Sequence, residues 1–297
     1  MTQNTSAQKL SGPQSLAGRT VLISGGSRGI GHAIAVALAA QGAQIALLAK
    51  TDQPHPNLQG TVHTAVADVE AAGGRGLAVV GDVRRDEDVQ RAVGETVEAF
   101  GGIDMLINNA SAIDLTPTAE LPMKRYDLMH DINVRGTFHL SQAVVPHLRA
   151  SGSAAQADGG LGSWTPKILT LAPPLNLDPQ WFGKHLGYTM AKYGMSMTTL
   201  GFSEVLADVD AEVNSLWPAT LIDTAAIRAM PDGDALAQTA RTPQIMADAV
   251  LALTTGAAGT HRGQFLTDEQ VLEAAGVQDL SGYAVDPTMT LTPDIFL

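Results

Sequence analysis

A tyrosine and a lysine stand four residues apart in the stretch YTMAK, at Tyr188 and Lys192. In a helix, residues with this spacing lie one above the other on the same face, so both side chains would point into the same space. A cation next to a phenol favours the phenolate, which suits proton transfer. The alternative is a pair that merely packs on a helix surface.

A glycine-rich turn follows the first apolar run, TVLIS, and precedes a segment of helical spacing. It reads SGGSRGIG and places Gly25, Gly29 and Gly31 where a strand must turn into a helix. Glycine lets the backbone approach a pyrophosphate closely, and the start of a helix supplies amide donors. The turn therefore predicts a dinucleotide site that also includes Ser27, Arg28 and Ile30. The alternative is a glycine-rich turn without a ligand.

The choice between two dinucleotides depends on the end of the second apolar run. Sites for NAD usually place a carboxylate there to hold the ribose hydroxyls. This chain has Ala49 and Lys50 instead, and Arg28 stands in the preceding turn. Two cations and no acid suit a 2′-phosphate, so NADP(H) is favoured over NAD(H). Lys50 as an ordinary solvated lysine is the other reading. Asp82 is a candidate acceptor for the adenine amino group or, alternatively, a helix cap.

Short apolar runs alternate with helical segments along most of the chain. The predicted strands cover residues 20–24, 44–49, 76–80, 103–108, 167–172, 212–217 and 263–266. The predicted helices cover residues 30–42, 61–72, 86–100, 131–149, 187–207 and 243–255. This alternation implies a parallel sheet with helices on both faces. We predict an α/β fold, a single doubly wound Rossmann-type domain over residues 18–297 with about seven strands. Residues 1–17 are predicted to form a disordered tail, and the small, polar residues 151–163 a flexible surface loop.

Composition excludes several classes of function. The net charge of −12 repels nucleic acid, and the sequence shows no basic cluster. The chain has no cysteine, which removes thiolate chemistry and Cys-based metal sites, and its eight histidines show no ligand grouping. No apolar run is long enough to span a membrane, and the first residues do not resemble a secretory signal. We therefore expect a cytoplasmic protein with no metal and a small-molecule substrate.

Several motifs occur together in this chain: the YxxxK pair, the glycine pattern, Asp-Val at 82–83, NNAS at 108–111 and INVRG at 132–136. In this combination and order the chain resembles the short-chain dehydrogenase/reductase family over residues 19 to 266. It is more similar still to the hydroxysteroid-dehydrogenase-like branch, in stretches such as AKTDQPHP, APPLNL and PDIFL. Animal members of that branch usually carry a sterol-carrier-like domain afterwards, and we expect this chain to lack it.

The resemblance implies roles for individual residues. Tyr188 would be the general acid or base, and Lys192 would favour its phenolate and bind the nicotinamide ribose. A decrease in the tyrosine pKa of about 3 units requires about 4 kcal/mol, which Lys192 and a positively charged nicotinamide could supply. Asn133 would hold a water that relays protons from Lys192. The other expected cofactor contacts are Val83, Asn109, Ala110, Ile222 and Thr224; Thr224 as a helix cap is the alternative.

One family residue is missing. Most members carry a serine at the end of the fifth strand that holds the substrate oxygen, and here Ala172 and Pro173 occupy those positions. Losing such a donor typically costs about 10² to 10³ in rate. Asn176 or Ser111 could donate instead.

The resemblance leads to two functional hypotheses. The first is an NADP(H)-dependent oxidoreductase that interconverts a carbonyl and an alcohol on a largely apolar substrate. The alternative is a dinucleotide-binding protein that has lost efficient catalysis, because the serine is absent. The family also implies a homodimer or homotetramer formed through the helices near 131–149 and 187–207.

Overall fold

The computed structural model describes residues 10–54, 60–157 and 164–297. Seven parallel strands form one sheet in the order β3-β2-β1-β4-β5-β6-β7. The strands are β1 (Thr20–Ser24), β2 (Gln44–Ala49), β3 (Arg75–Val80), β4 (Met105–Asn108), β5 (Lys167–Thr170), β6 (Glu212–Trp217) and β7 (Phe265–Thr267). The predicted doubly wound α/β fold is confirmed.

Helices cover both faces of this sheet. In chain order they are α1 (Gly29–Ala39), α2 (Val62–Ala71), α3 (Asp86–Phe100), α4 (Met123–Met129), α5 (Thr137–Ala157), α6 (Pro179–Val205), α7 (Ala225–Arg228), α8 (Gly233–Gln238), α9 (Gln244–Thr255) and α10 (Asp268–Ala274). Two 3₁₀ turns lie at Ala207–Val209 and Ser281–Tyr283. None of the helices in the described ranges is apolar enough over sufficient length to cross a membrane.

The core consists of two apolar layers, one on each face of the sheet. Successive side chains of a strand point to opposite faces, so Val21 and Ile23 of β1 pack with α1 and α9, whereas Leu22 packs with α3 and α5. All three side chains are fully buried. Because both faces are covered, the strand is a continuous apolar run rather than an alternating one, as is typical of a parallel sheet.

The order of the strands determines where a ligand can bind. The chain moves outward from β1 to β2 and β3, and then returns to place β4 on the other side of β1. The connections after β1 and β4 therefore leave in opposite directions and open a crevice at the carboxyl edge of the sheet. The glycine turn, Lys50 and Asp82 follow the carboxyl ends of β1, β2 and β3, and Tyr188 and Lys192 lie on α6.

The predicted disordered tail is wrong over residues 10–17. Leu10 and Leu16 are buried in the core layer that contains α9. The Thr255 hydroxyl donates to the Leu10 carbonyl over 2.7 Å, and the Gln14 amide donates to the Thr255 carbonyl over 2.9 Å. Two isolated leucines in a polar stretch give no periodic signal, which explains the error. Residues 1–9 lie outside the described residues.

Two helices extend further than predicted. The chain is helical through Ala157, so the predicted loop is wrong over residues 151–157, and residues 158–163 lie outside the described residues. The helix with Tyr188 begins at Pro179, where the Asp178 carboxylate caps it by accepting from the Gln180 amide. His185 has a non-helical backbone (φ −142°, ψ 60°), so this helix is kinked just before Tyr188.

Candidate active site

The glycine turn after β1 lies directly against the segment after β4. Gly25 and Gly29 adopt left-handed φ angles of 76° and 58°, which glycine accepts without strain. A Cβ on Gly31 would lie 2.5 Å from Nδ2 of Asn109, and a Cβ on Gly25 would lie 2.8 Å from Cα of Ala110. Gly25 and Gly31 are therefore required by the packing of the chain against itself, whether or not a ligand is bound.

A groove of about 510 Å³ opens over this turn. It is lined by most of the predicted cofactor residues: Gly25, Ser27, Arg28, Gly29, Ile30, Lys50, Asp82, Val83, Asn109, Ala110 and Thr224. Gly31, Ile222 and Lys192 do not line it; Gly31 is covered by Asn109, and Ile222 is buried beside Arg241. The sequence reasoning missed Arg125, Leu128 and Ile132, which enter the groove from α4 and the turn that follows it.

The groove fits a dinucleotide in its backbone and in its charge. The glycine backbone is open at the start of α1, where the helix supplies amide donors. Arg28 donates from one guanidinium nitrogen to the Gly60 carbonyl over 2.9 Å, while its buried Nε has no hydrogen-bond partner among the described residues. Lys50 is exposed at the same end of the groove. An unpaired N–H and an exposed ammonium are the donors that a phosphate requires.

Two further predicted contacts have defined surroundings. The Asp82 carboxylate accepts from the Arg84 side chain over 2.6 Å, and this contact holds its pKa below the usual range. Asp82 is thus an anion whose two carboxylate oxygens already accept hydrogen bonds from Arg84. Thr224 precedes α7 but makes no side-chain cap, and its methyl group faces Gly29 across the groove, 3.5 Å from where a Cβ would lie.

Tyr188 and Lys192 lie on α6 at the far end of this region, and both are buried. Nζ of Lys192 donates to the Leu171 carbonyl, just after β5, over 2.7 Å and lies 5.0 Å from the ring centroid of Trp217. The Tyr188 ring stacks on Phe296, with centroids 6.1 Å apart. No hydrogen bond joins Tyr188 to Lys192, and none to the tyrosine hydroxyl is found within the described ranges.

The electrostatics of the pair differ from the prediction. Burial raises the pKa of Tyr188, and the nearby Asp294 carboxylate raises it further. Burial lowers the pKa of Lys192 to about 7, although Asp294 opposes this decrease. In the protein alone the pKa of Tyr188 is therefore raised and not lowered, and the decrease expected from Lys192 together with a bound nicotinamide stays a prediction. The physical reason is that desolvation penalises both charged forms, and that the Asp294 carboxyl, whose own pKa burial raises to about 7, adds a negative charge when it ionises.

Asn133 lies in a π-helical turn, His130–Gly136, between α4 and α5. Its amide accepts from the Ala112 N–H over 2.8 Å and donates to the Ala112 carbonyl over 3.0 Å. The side chain thus fixes the segment after β4 that lines the groove. Its role in a water relay stays a prediction, and the π-turn is a feature often found at functional sites.

The structure separates the two candidates for the missing serine. The side chain of Asn176 accepts from the Asp178 amide and donates to the Phe296 carbonyl, so it is engaged in local structure. Ser111 is exposed, lines the groove and makes no hydrogen bond to the described part of the chain. Thr170 is fully buried, and its hydroxyl accepts from Asn108 over 3.4 Å. That Ser111 substitutes for the missing serine stays a prediction, which the absence of a partner for its hydroxyl among the described residues favours.

Sequence reasoning missed Asp294 and Phe296. Both come from the stretch PDIFL, which was noted only as a family signature. A short acidic and aromatic run after a polar segment was the available signal, but it carries no periodicity that would place it beside Tyr188.

Comparisons with known proteins identify the family of the chain. A family model described as short chain dehydrogenase matches residues 19–158. Hydroxysteroid dehydrogenase-like protein 2 of Danio rerio is 48% identical over 282 residues, which cover 95% of this chain and 64% of that protein. This chain therefore spans less than two thirds of the length of that relative.

Two solved structures are similar over nearly their whole length. A protein from Xanthomonas campestris described as a dehydrogenase is 50% identical with a TM-score of 0.87, and the match covers 95% of this chain and 99% of that chain. A short chain dehydrogenase from Mycobacterium thermoresistibile is 45% identical with a TM-score of 0.84, and the match covers 95% and 96%. With the groove and the tyrosine–lysine pair in place, these similarities show that the chain belongs to the short-chain dehydrogenase/reductase family of oxidoreductases.

Proposed function

We propose that this protein is an NADP(H)-dependent oxidoreductase that interconverts a carbonyl and an alcohol on a largely apolar small molecule. The observation that carries the proposal is the position of Tyr188 and Lys192 on one helix, buried at the carboxyl edge of the sheet beside a glycine-lined groove. A buried acid–base pair next to a cleft with open backbone amides is the arrangement that such a reaction requires.

In the direction of reduction, the Tyr188 hydroxyl donates its proton to the carbonyl oxygen as the carbonyl carbon gains a hydride. When bound, a reduced nicotinamide supplies that hydride. The proton transfer leaves a phenolate in a buried position, and the Lys192 ammonium is the nearby cation that stabilises it. Lys192 is held by its bond to the Leu171 carbonyl, so its charge does not have to be brought into place during the reaction.

The preference for NADP(H) is supported by charge. Arg28 and Lys50 are cations at the end of the groove where β2 ends, and Ala49 occupies the position at which NAD sites usually carry an acid. The arrangement favours a ligand with an additional phosphate in this place.

An oligomer is supported by an apolar groove of about 950 Å³ between α5 and α6. Phe138, Met197 and Val205 line this groove and are exposed by 50%, 64% and 45%. An apolar surface of this kind on two neighbouring helices suits a second copy that presents the same face. We propose a homodimer or homotetramer built through it.

The proposal is tested by measuring the binding of NADPH and NADH, followed by turnover over a panel of ketones and aldehydes. Binding of NADPH with turnover on at least one carbonyl supports the enzyme. Tight binding without turnover on any substrate would favour the alternative of a dinucleotide-binding protein without catalysis, against which the retention of Tyr188 and Lys192 argues. Absence of dinucleotide binding would contradict both.

A further inference from the structure

The segment Thr292–Leu297, which we call the strap, crosses the carboxyl edge of the sheet next to Tyr188. The Leu221 amide donates to the Thr292 carbonyl over 3.0 Å, and the Asp294 amide donates to the Ala219 carbonyl over 3.1 Å. The strap is thus bonded in antiparallel fashion to the chain that follows β6. These two bonds hold the start of the strap beside the active site.

Side chains from the site hold the rest of the strap. The indole N–H of Trp217, at the end of β6, donates to the Ile295 carbonyl over 3.0 Å. The Asn176 amide, from the loop after β5, donates to the Phe296 carbonyl over 3.3 Å. That loop is where the family serine would stand, so the strap is bonded to the part of the site that would receive the substrate.

The Phe296 ring fills a box of five aromatic rings and is fully buried. The centroid of Phe296 lies 5.3 Å from Tyr193, 5.7 Å from Trp181, 6.0 Å from Trp217, 6.1 Å from Tyr188 and 6.2 Å from His185. All of these distances lie in the range of favourable aromatic contacts, roughly 4.5 to 7 Å. The box therefore has the size and shape of a site for one six-membered ring.

The backbone of Phe296 shows that its ring is held in the box against local preference. Its φ angle is +74°, in the left-handed region that bulky side chains rarely adopt. Packing in the box must offset this strain. A second ring that replaced Phe296 would keep the aromatic contacts and release the strain.

Phe296 also covers the residue on which the proposed reaction depends. Its ring stacks on Tyr188 with an angle of 28° between the planes, and Tyr188 is only 5% exposed. A substrate oxygen must come within about 2.6 to 3.2 Å of the tyrosine hydroxyl to receive its proton. The group attached to the carbonyl would then extend into the space beside Tyr188, which is the space that Phe296 fills.

We infer that Phe296 occupies the substrate's ring position, so that the preferred substrates are aryl ketones or the corresponding secondary alcohols, and that Phe296 leaves the box when they bind. This inference rests on the proposed function and deepens it by naming a substrate class. Only the state in which Phe296 is withdrawn can bind the substrate ring. The apparent dissociation constant of a substrate with a ring is therefore the intrinsic constant divided by the fraction of molecules in which the box is open.

The first test compares wild type with Phe296→Ala on acetophenone, which carries a ring, and on 2-butanone, which does not. Removing the ring of Phe296 should lower KM for acetophenone by about tenfold, with little change in kcat, in KM for 2-butanone or in NADPH affinity. Leu297→Ala, at a 43% exposed position of the strap, is the matched control and should behave like wild type. An unchanged or higher KM for acetophenone in folded Phe296→Ala would show that Phe296 is a fixed wall and would overturn the inference.

A second test keeps Phe296 in place and works even if Phe296→Ala does not fold. The chain contains no cysteine, so Ile295→Cys introduces a single thiol on the strap. With NADP⁺ present, acetophenone should increase the rate at which a thiol reagent modifies this cysteine by about tenfold, because the strap opens. An unchanged or slower rate would contradict the inference. Turnover of 2-butanone by wild type tests the proposed function separately. Failure of this inference can therefore be distinguished from failure of the proposed function.

Discussion

Nζ of Lys192 is bonded to the Leu171 carbonyl over 2.7 Å, so the lysine is tied to the end of β5 and not to Tyr188. The backbone carbonyl holds the ammonium group in a buried position, where its pKa is about 7. At neutral pH the lysine is therefore close to the point at which it loses its charge. Any group that changes the local potential will change the protonation of Tyr188 and Lys192.

Asp294 is such a group. Burial raises the pKa of its own carboxyl to about 7, and once ionised this carboxylate raises the pKa of both Tyr188 and Lys192, although it forms no ion pair with Lys192. In Asp294→Asn both pKa values should fall, because the anion that disfavours the phenolate and favours the ammonium is gone. We expect both limbs of the pH profile of kcat/KM for alcohol oxidation to move to lower pH. Asp286→Asn, at a half-buried position, is the control, and a shift of either limb to higher pH would contradict this assignment.

Lys50 provides a test of the cofactor preference. If its ammonium binds a 2′-phosphate, Lys50→Ala should weaken NADPH by about tenfold and leave NADH nearly unchanged, since one charged hydrogen bond contributes about 1.5 kcal/mol. Titration of both cofactors by fluorescence measures this. Lys184→Ala, which removes an exposed lysine outside the groove, should alter neither affinity. Equal losses for both cofactors would remove this role from Lys50.

Most of the fold could be predicted because its signals are local. Residues 86–100 were predicted as a helix and form α3 with the same bounds, since three acids at its start and Gly101 after its end mark both limits. The β1, β2 and β6 strands also have their predicted bounds. The β1 and β2 strands are mainly apolar runs between breaks in the pattern.

The parts that were missed depend on contacts between distant residues. The π-turn at Asn133 accompanies its bonds to Ala112, which is 21 residues away. The rise in the pKa of Tyr188 comes from burial and from Asp294, more than 100 residues later in the chain. Neither effect has a period or a neighbouring motif that would reveal it, whereas the glycine turn, which acts through its own backbone, was recognised directly.

A buried ion pair at the start of β5 offers a test of stability. Lys167 and Glu212 are each about 4% exposed, and their charged atoms are 2.8 Å apart. Glu212→Gln leaves a buried ammonium without a counter-charge and should lower the free energy of unfolding by about 3 to 5 kcal/mol. Urea unfolding measures the change. Glu95→Gln, which breaks the exposed pair with Arg91, should have little effect, and a similarly small effect of Glu212→Gln would contradict the burial of this pair.

The proposed oligomer depends on Met197, which is 64% exposed and lines the apolar groove between α5 and α6. Met197→Glu places a charge in the apolar groove between α5 and α6, and it should shift the protein toward smaller species, because desolvating a charge is costly. Sedimentation velocity at several concentrations reports the state. Met289→Glu, which alters an exposed methionine outside this groove, should leave it unchanged. A wild-type protein that sediments as a monomer would contradict the proposed interface.

In the proposed reaction Tyr188 transfers the proton, and the groove holds the dinucleotide without a contribution from the tyrosine hydroxyl. The most direct measurement compares Tyr188→Phe with Tyr193→Phe, a second tyrosine on α6 whose hydroxyl donates to the Asn176 carbonyl. Tyr188→Phe should bind NADPH like wild type and lose turnover by about 10² to 10⁴, while Tyr193→Phe keeps most of its turnover. Turnover by Tyr188→Phe close to that of wild type would contradict the account.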